Sequence, residues 1–205
     1  MYVVFPDKDN ESREIHLAMR MQPVPMGREY FESIDSQPLG YVKDRRVFLH
    51  EKPPVCHPYG AFEKKRVTVT AEMDRNVKYY RIYPSFDAAT CLGRLVGPNN
   101  DRVRAVLLEL YHSGTGYTRH TVEEYDLTKY IKTLTKEGVL VFGMPRPRVM
   151  YATSLELKGA GLIFLKKMSV PAAITKLMWL LAQYSDKSQI ENKMLENLRG
   201  EISEA

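Results

Sequence analysis

The stretch NVKYYRIYPSFDAAT, residues 76–90, constrains this chain more than any other, because it changes period within fifteen residues. Val77, Tyr79, Tyr80 and Ile82 are strong strand formers. Pro84 then removes a backbone donor and fixes φ, so a sheet strand stops there. Ser85 is placed to cap a helix over Phe86–Val96, with Gly97 and Pro98 just past its end. Any fold for this chain must therefore contain a strand-to-helix corner.

Elements on either side come in clusters. In the first 60 residues, YVVF at 2–5 faces an alternating run with Ile15, Leu17, Met19 and Met21. GYVKDRRVFLH reads as a hairpin turning at Lys43–Asp44, among prolines that favour loops and edges. RVTVTAEM, 66–73, reads as a strand before the corner. After it, Asn100 can cap a helix through residues 101–112, where Val103, Val106, Leu107 and Leu110 keep helical spacing. A polar loop at 113–125 leads to a second helix, with Leu127, Tyr130, Ile131 and Leu134 on one face, Asp126 as cap and Gly138 as stop. VLVF, 139–142, is a strand; VMYATSLEL and GLIFLKK read as a hairpin about residues 158–160. Ile174, Leu177, Met178 and Leu181 form a helical stripe, and Ser188 with Glu191 a capping box for a last helix ended by Gly200. The expected class is α+β: a single domain with a mainly antiparallel sheet packed with several helices. Residues 1–60 are its β-rich N-terminal segment, packed on the same domain as a 61–205 α+β core with C-terminal helices.

A chain of 205 residues, 44% hydrophobic, can bury a core without disulfides or metals. Two cysteines, Cys56 and Cys91, suit a reducing compartment. The N-terminal apolar run is too short for a signal peptide, and no stretch reaches the roughly 18 apolar residues of a membrane span. No Walker loop, dinucleotide fingerprint or nucleophile elbow is present. His50, His57, His112 and His120 lack metal-ligand spacing, and Glu123–Glu124 is the only adjacent acidic pair. The expectation is a protein without metal or cofactor that is not an enzyme.

Charge points elsewhere. Residues 61–150 hold 15 Lys and Arg against 10 Asp and Glu, while the flanking segments nearly balance. The clusters are Lys64, Lys65 and Arg66; Arg75, Lys78 and Arg81; Arg146 and Arg148; and Lys166 and Lys167. Such groups can neutralise phosphates or acidic headgroups, or merely guard sheet edges. Tyr79 and Tyr83 share a strand face beside Arg81, which permits a base-stacking surface; a buried corner is the commoner use of such tyrosines. Tyr117 and Arg119, in the 113–125 loop, are the residues expected to meet a partner.

The runs FEKKRVTVTAEMDRNVKYYRIYPSFDAATCLGRLV, DRVRAVLLELYHSG and VMYATSLELKGAGLIFLKKMSVPAAITKLMWLL together resemble the folded domain of rhabdovirus matrix proteins in element order and residue type. The likeness covers residues 62–115 and 148–184; a proline-tyrosine budding motif is not reproduced, since PPVCHPY has the wrong spacing. The resemblance implies a viral structural protein that self-associates into oligomers and bridges nucleocapsid and an acidic membrane surface. Its location would be the virion and host cytoplasm, peripheral to the membrane, with the nucleus as a further compartment. The alternative is an RNA-binding accessory protein using the basic-aromatic strand.

Overall fold

The structure, a computed structural model, describes residues 2–22, 30–34, 37–50, 70–96, 103–119, 121–198 and 200–203. The chain divides into two compact units: residues 1–71, 167–173 and 196–205 form one, and 72–166 with 174–195 the other.

In the first unit, β1 (Tyr2–Pro6) pairs antiparallel with β2 (Arg13–Leu17), Val4 opposite Ile15; the expected alternating strand ends at Leu17, Ala18–Arg20 form a 3-10 turn, and His16 and Arg20, expected on the polar face, are buried. β3 (Met21–Gln22) and β4 (Glu32–Ser33) form a two-stranded ribbon. β5 (Gly40–Lys43) and β6 (Arg46–Leu49) form the expected hairpin, one residue later than predicted. Its corner residues Asp44 and Arg45 have φ of 49° and 60°, the left-handed pair that matches strand twist. The sheet order is β1-β2-β5-β6. Arg20 is buried and donates from Nε to the Gly200 carbonyl at 2.6 Å and from Nη2 to that of Ile202 at 3.0 Å. His16, also buried, places Nδ1 3.0 Å from Ser33 Oγ.

The second unit is built on a parallel sheet of order β10-β9-β8-β7. Its strands are β7 (Val77–Arg81), β8 (Ala105–Glu109), β9 (Leu140–Met144) and β10 (Ile163–Phe164). Three helices make the crossovers: α1 (Ala88–Cys91), α2 (Leu127–Lys136) and α3 (Ala152–Gly159). Leu92, Ile131, Leu134 and Leu157 pack with Val106, Leu108 and Val141 in one core cluster, so the three crossovers cover one sheet face. Two further helices follow, α4 (Val170–Gln183) and α5 (Lys187–Leu195).

The class is α+β as expected, and among the described residues antiparallel strand pairs outnumber parallel ones, four to three. Several elements differ from expectation. Residues 105–109 are a strand, not a helix: Ala105, Val106, Leu107 and Leu108 are all fully buried, and a central parallel strand is apolar on both faces. A short run apolar on both sides satisfies a helical template as well as a strand. Residues 152–159 are helix α3, not half of a hairpin, and β10 runs parallel to β9. The corner helix is shorter than expected and is capped by Asp87, which accepts from Thr90 N at 2.8 Å; Ser85 sits at φ 66° instead. Residues 70–73 are not in a strand, and 66–69 lie outside the described residues, as does Asn100. The last helix is capped by Asp186, which accepts from Ser188 N at 3.1 Å, and it ends at Leu195.

Candidate functional site

Parallel strands send all their following loops to one end. Here the loops 82–87, 110–126 and 145–151 leave β7, β8 and β9 at their carboxyl ends, where open parallel sheets bind ligands. The middle loop is the longest and is tied at several points. Leu110 N donates to the Met144 carbonyl at 2.6 Å, and Gly114 N to that of Tyr111 at 2.7 Å. Gly114 has φ +68°, and a Cβ there would come within 2.7 Å of the Pro145 carbonyl and Pro147 N, so only glycine fits without displacement. Ser154 Oγ of α3 donates to the Gly114 carbonyl at 3.1 Å, and Leu127 N to that of Tyr117 at 3.0 Å. Asp126 caps α2, accepting from Thr128 N at 2.9 Å, so the helix start and the loop end are one structure.

Two cavities open among these loops. One, of about 540 Å³, is polar and lined by Thr118, Arg119, Thr121, Thr153 and Glu156. The other, of about 330 Å³, is aromatic: Tyr83, Phe86, Tyr111, Tyr117 and Tyr125 line it, with Ile82 and Leu127 beneath. Tyr117 meets Tyr125 edge-on, centroids 5.9 Å apart at 88°, and Tyr83 meets Phe86 at 5.7 Å and 89°. Tyr117 lines the aromatic cavity and the next two residues, Thr118 and Arg119, line the polar one.

Titratable groups nearby are shifted toward neutrality or held by local donors. Burial pushes the Cys91 thiol up, with the Asp87 carboxylate adding to it, which disfavours the thiolate. Tyr79 is pushed up to about 12 by burial and by its hydroxyl donating to Glu109. Asp87 is held below its ordinary value by the Thr90 hydroxyl. Among the described residues no three of His, Cys, Asp or Glu gather to hold a metal ion.

The residues expected to bind anions are distributed over the second unit's sheet and beyond. Lys64, Lys65 and Arg66 lie outside the described residues. Arg75, Lys78 and Arg81 are exposed along the β7 edge, where Arg81 Nε lies 3.7 Å from Glu109 Oε1. Lys166 is exposed after β10, the opposite edge, and Lys167 follows it. Arg146 and Arg148 are exposed in the loop after β9. Tyr79, whose ring hydroxyl is bound to Glu109, and Tyr83 do not form one platform: Tyr83 turns into the aromatic cavity. Of the loop pair, Tyr117 lines the aromatic cavity and Arg119 the polar one. Sequence reasoning passed over Phe86, Tyr111, Tyr125, Thr153 and Glu156, which are spread over seventy positions; the signal available was a cluster of tyrosines around one long loop.

No family model matches the chain. Among curated proteins, it is 30% identical over 186 residues to the D subunit of glutamyl-tRNA(Gln) amidotransferase from Saccharolobus solfataricus, covering 86% of this chain and 38% of the relative. The corresponding protein of Sulfolobus acidocaldarius is 28% identical over 183 residues, with 86% and 37% covered. The chain thus spans under two fifths of these relatives' length. Among solved structures, the thermostable L-asparaginase of Thermococcus kodakarensis superposes with a TM-score of 0.70 at 23% identity, over 94% of this chain and 56% of that one. L-asparaginase I of Vibrio cholerae gives 0.62 at 22%, over 92% and 55%. These findings overturn the matrix-protein resemblance and what came with it: the viral structural role, the RNA-binding alternative, the nucleocapsid, membrane and self-association partners, and the virion or membrane-peripheral location. The expectation of a non-enzyme falls as well, since the similar proteins are enzymes. The physical reason is that β-branched strand, polar turn, basic-aromatic strand and helix describe any strand-to-helix corner, and the elements flanking it here are parallel crossovers. What the superpositions establish is that this chain carries the fold of the matching part of an L-asparaginase.

Proposed function

We propose that this chain serves an enzyme acting on carboxamides and that its polar cavity binds an amino-acid amide. The observation that carries the reading is the 30% identity, over most of the chain, to a component of an amidotransferase, on a fold shared with L-asparaginases. The cavity supports it chemically. Arg119 offers a guanidinium for an α-carboxylate, Glu156 a carboxylate for an α-ammonium, and Thr121 and Thr153 hydroxyls for the side-chain amide. Opposite charges lining one cavity suit a zwitterion better than a simple anion.

In the hydrolysis, a hydroxyl oxygen bonds to the amide carbon, its proton passes to the nitrogen as the carbon–nitrogen bond breaks, ammonia leaves, and water cleaves the resulting ester to free the carboxylic acid and restore the hydroxyl. In this reading the hydroxyls of Thr118, Thr121 and Thr153 hold the amide. Calorimetric titration with L-asparagine and L-glutamine, alongside a coupled assay for ammonia, tests the proposal. The expected result is saturable binding of at least one amide, weakened about tenfold by Arg119→Ala, the loss of one charge-assisted contact. Absence of both binding and ammonia release, or binding indifferent to Arg119→Ala and Glu156→Ala, overturns it.

A further inference from the structure

The aromatic cavity is not needed to hold an amino-acid amide, and its chemistry differs from that of its neighbour. Five of its nine lining residues are aromatic, and none is charged. Its rings are set in two perpendicular pairs, Tyr117 with Tyr125 and Tyr83 with Phe86. It sits at the carboxyl end of the parallel sheet, and its rim includes Ser85 at φ 66°, a conformation that a non-glycine residue holds only when its surroundings impose it.

An aromatic face carries partial negative charge, and rings at right angles can surround a cation from more than one side. A lysine or ammonium ion in such a site would lose water without gaining a carboxylate. A quaternary ammonium has no N–H to satisfy and is weakly hydrated, so it loses little on entering. The volume of about 330 Å³ admits a trimethylammonium head with part of its chain. We propose that this cavity is an aromatic cage for a quaternary ammonium group. The inference stands on the cavity alone and does not depend on the amide reading; head-group binding and ammonia release are separate measurements.

The test is a titration of the whole chain, followed by chemical shifts of the tyrosine ring protons, at constant ionic strength. The probes are tetramethylammonium, choline and 3,3-dimethylbutan-1-ol, the neutral carbon isostere of choline. Choline is expected to bind about tenfold or more tighter than the isostere, the discrimination a desolvated cation–π site provides. Tyr83→Ala, at a ring 54% exposed and therefore tolerant of removal, should weaken choline about fivefold or more with unchanged far-ultraviolet circular dichroism. Tyr117→Phe should leave affinity intact, because the ring and not its hydroxyl makes the contact. A trimethyllysine peptide titrated in parallel separates a protein side chain from a free small molecule as the source of the head group. Equal affinity for choline and its isostere overturns the cage, as does choline binding untouched by Tyr83→Ala, or no saturation by any of the probes.

Discussion

Two side-chain pairings show what single residues contribute to the fold. Arg104 donates from Nη1 to Asp74 Oδ2 at 2.8 Å and to the Leu181 carbonyl at 2.6 Å, joining the chain before β7 to the end of α4. Burial pushes Asp74 up, but the Asn76 amide and Arg104 outweigh it and hold the carboxyl below its ordinary value. A carboxylate depressed in the fold stabilises it above the unfolded pKa of about 3.9, and that stability is lost as pH falls through the folded value. Urea midpoints measured from pH 6 to pH 2 should therefore fall less steeply in Asp74→Asn, which should itself cost about 1.5–3 kcal/mol at neutral pH. His16 behaves differently. Burial lowers its pKa, and its Nε2 lacks a hydrogen bond although Glu14 Oε2 lies 3.3 Å away, off the donor line. The unfolded ring takes up its proton first, so stability should decline as pH drops below about 6.5. In His16→Phe that part of the decline should vanish from the same titration.

At the scale of elements, the crest of the parallel sheet depends on the joint between the middle loop and α2. Asp126 caps α2 from a buried position, and Asp126→Ala should cost about 1 kcal/mol in thermal melts, with Asp126→Asn largely restoring it. Gly114→Ala places a Cβ against the backbone of the 145–147 loop at a positive φ. It should cost more than about 1 kcal/mol and, because Tyr117 and Thr118 follow on the same loop, weaken ligand binding in both cavities. Much of α2 was legible beforehand: Leu127, Ile131 and Leu134 are buried at the predicted spacing, and Gly138 takes φ +82° after the helix. β8 was not, because in AVLLE nothing alternates; every side chain but the last is buried, whatever the period.

The whole molecule joins sequence positions that no local pattern relates. Arg20, 5% exposed, reaches Gly200 and Ile202, a separation of about 180 residues. Arg20→Gln should cost about 1.5–3 kcal/mol by leaving those carbonyls under-satisfied, and hydrogen exchange at residues 200–203 should accelerate. Replacing Leu108, fully buried in the central strand, by alanine should cost about 2–5 kcal/mol in denaturant unfolding. Both cavities are products of the same long-range order: Tyr83, Tyr117 and Glu156 belong to three different connections that meet only because three strands run parallel.

Taken alone, the order of residues determined the hairpins β1–β2 and β5–β6, the strand-to-helix corner at Pro84, helix α2 with its cap and stop, and the α+β class. The hairpins, the corner and the helix rest on interactions between residues at most about fifteen apart, where period, capping and turn chemistry act directly. Strand direction, the assignment of β8 and α3, and the gathering of the crest residues were decided by tertiary structure. A parallel crossover is set by which face each helix buries, and that energy lies between segments tens of residues apart. For the same reason the scattered tyrosines become a box, and Arg119 comes to share a cavity with Glu156, only once the sheet has formed.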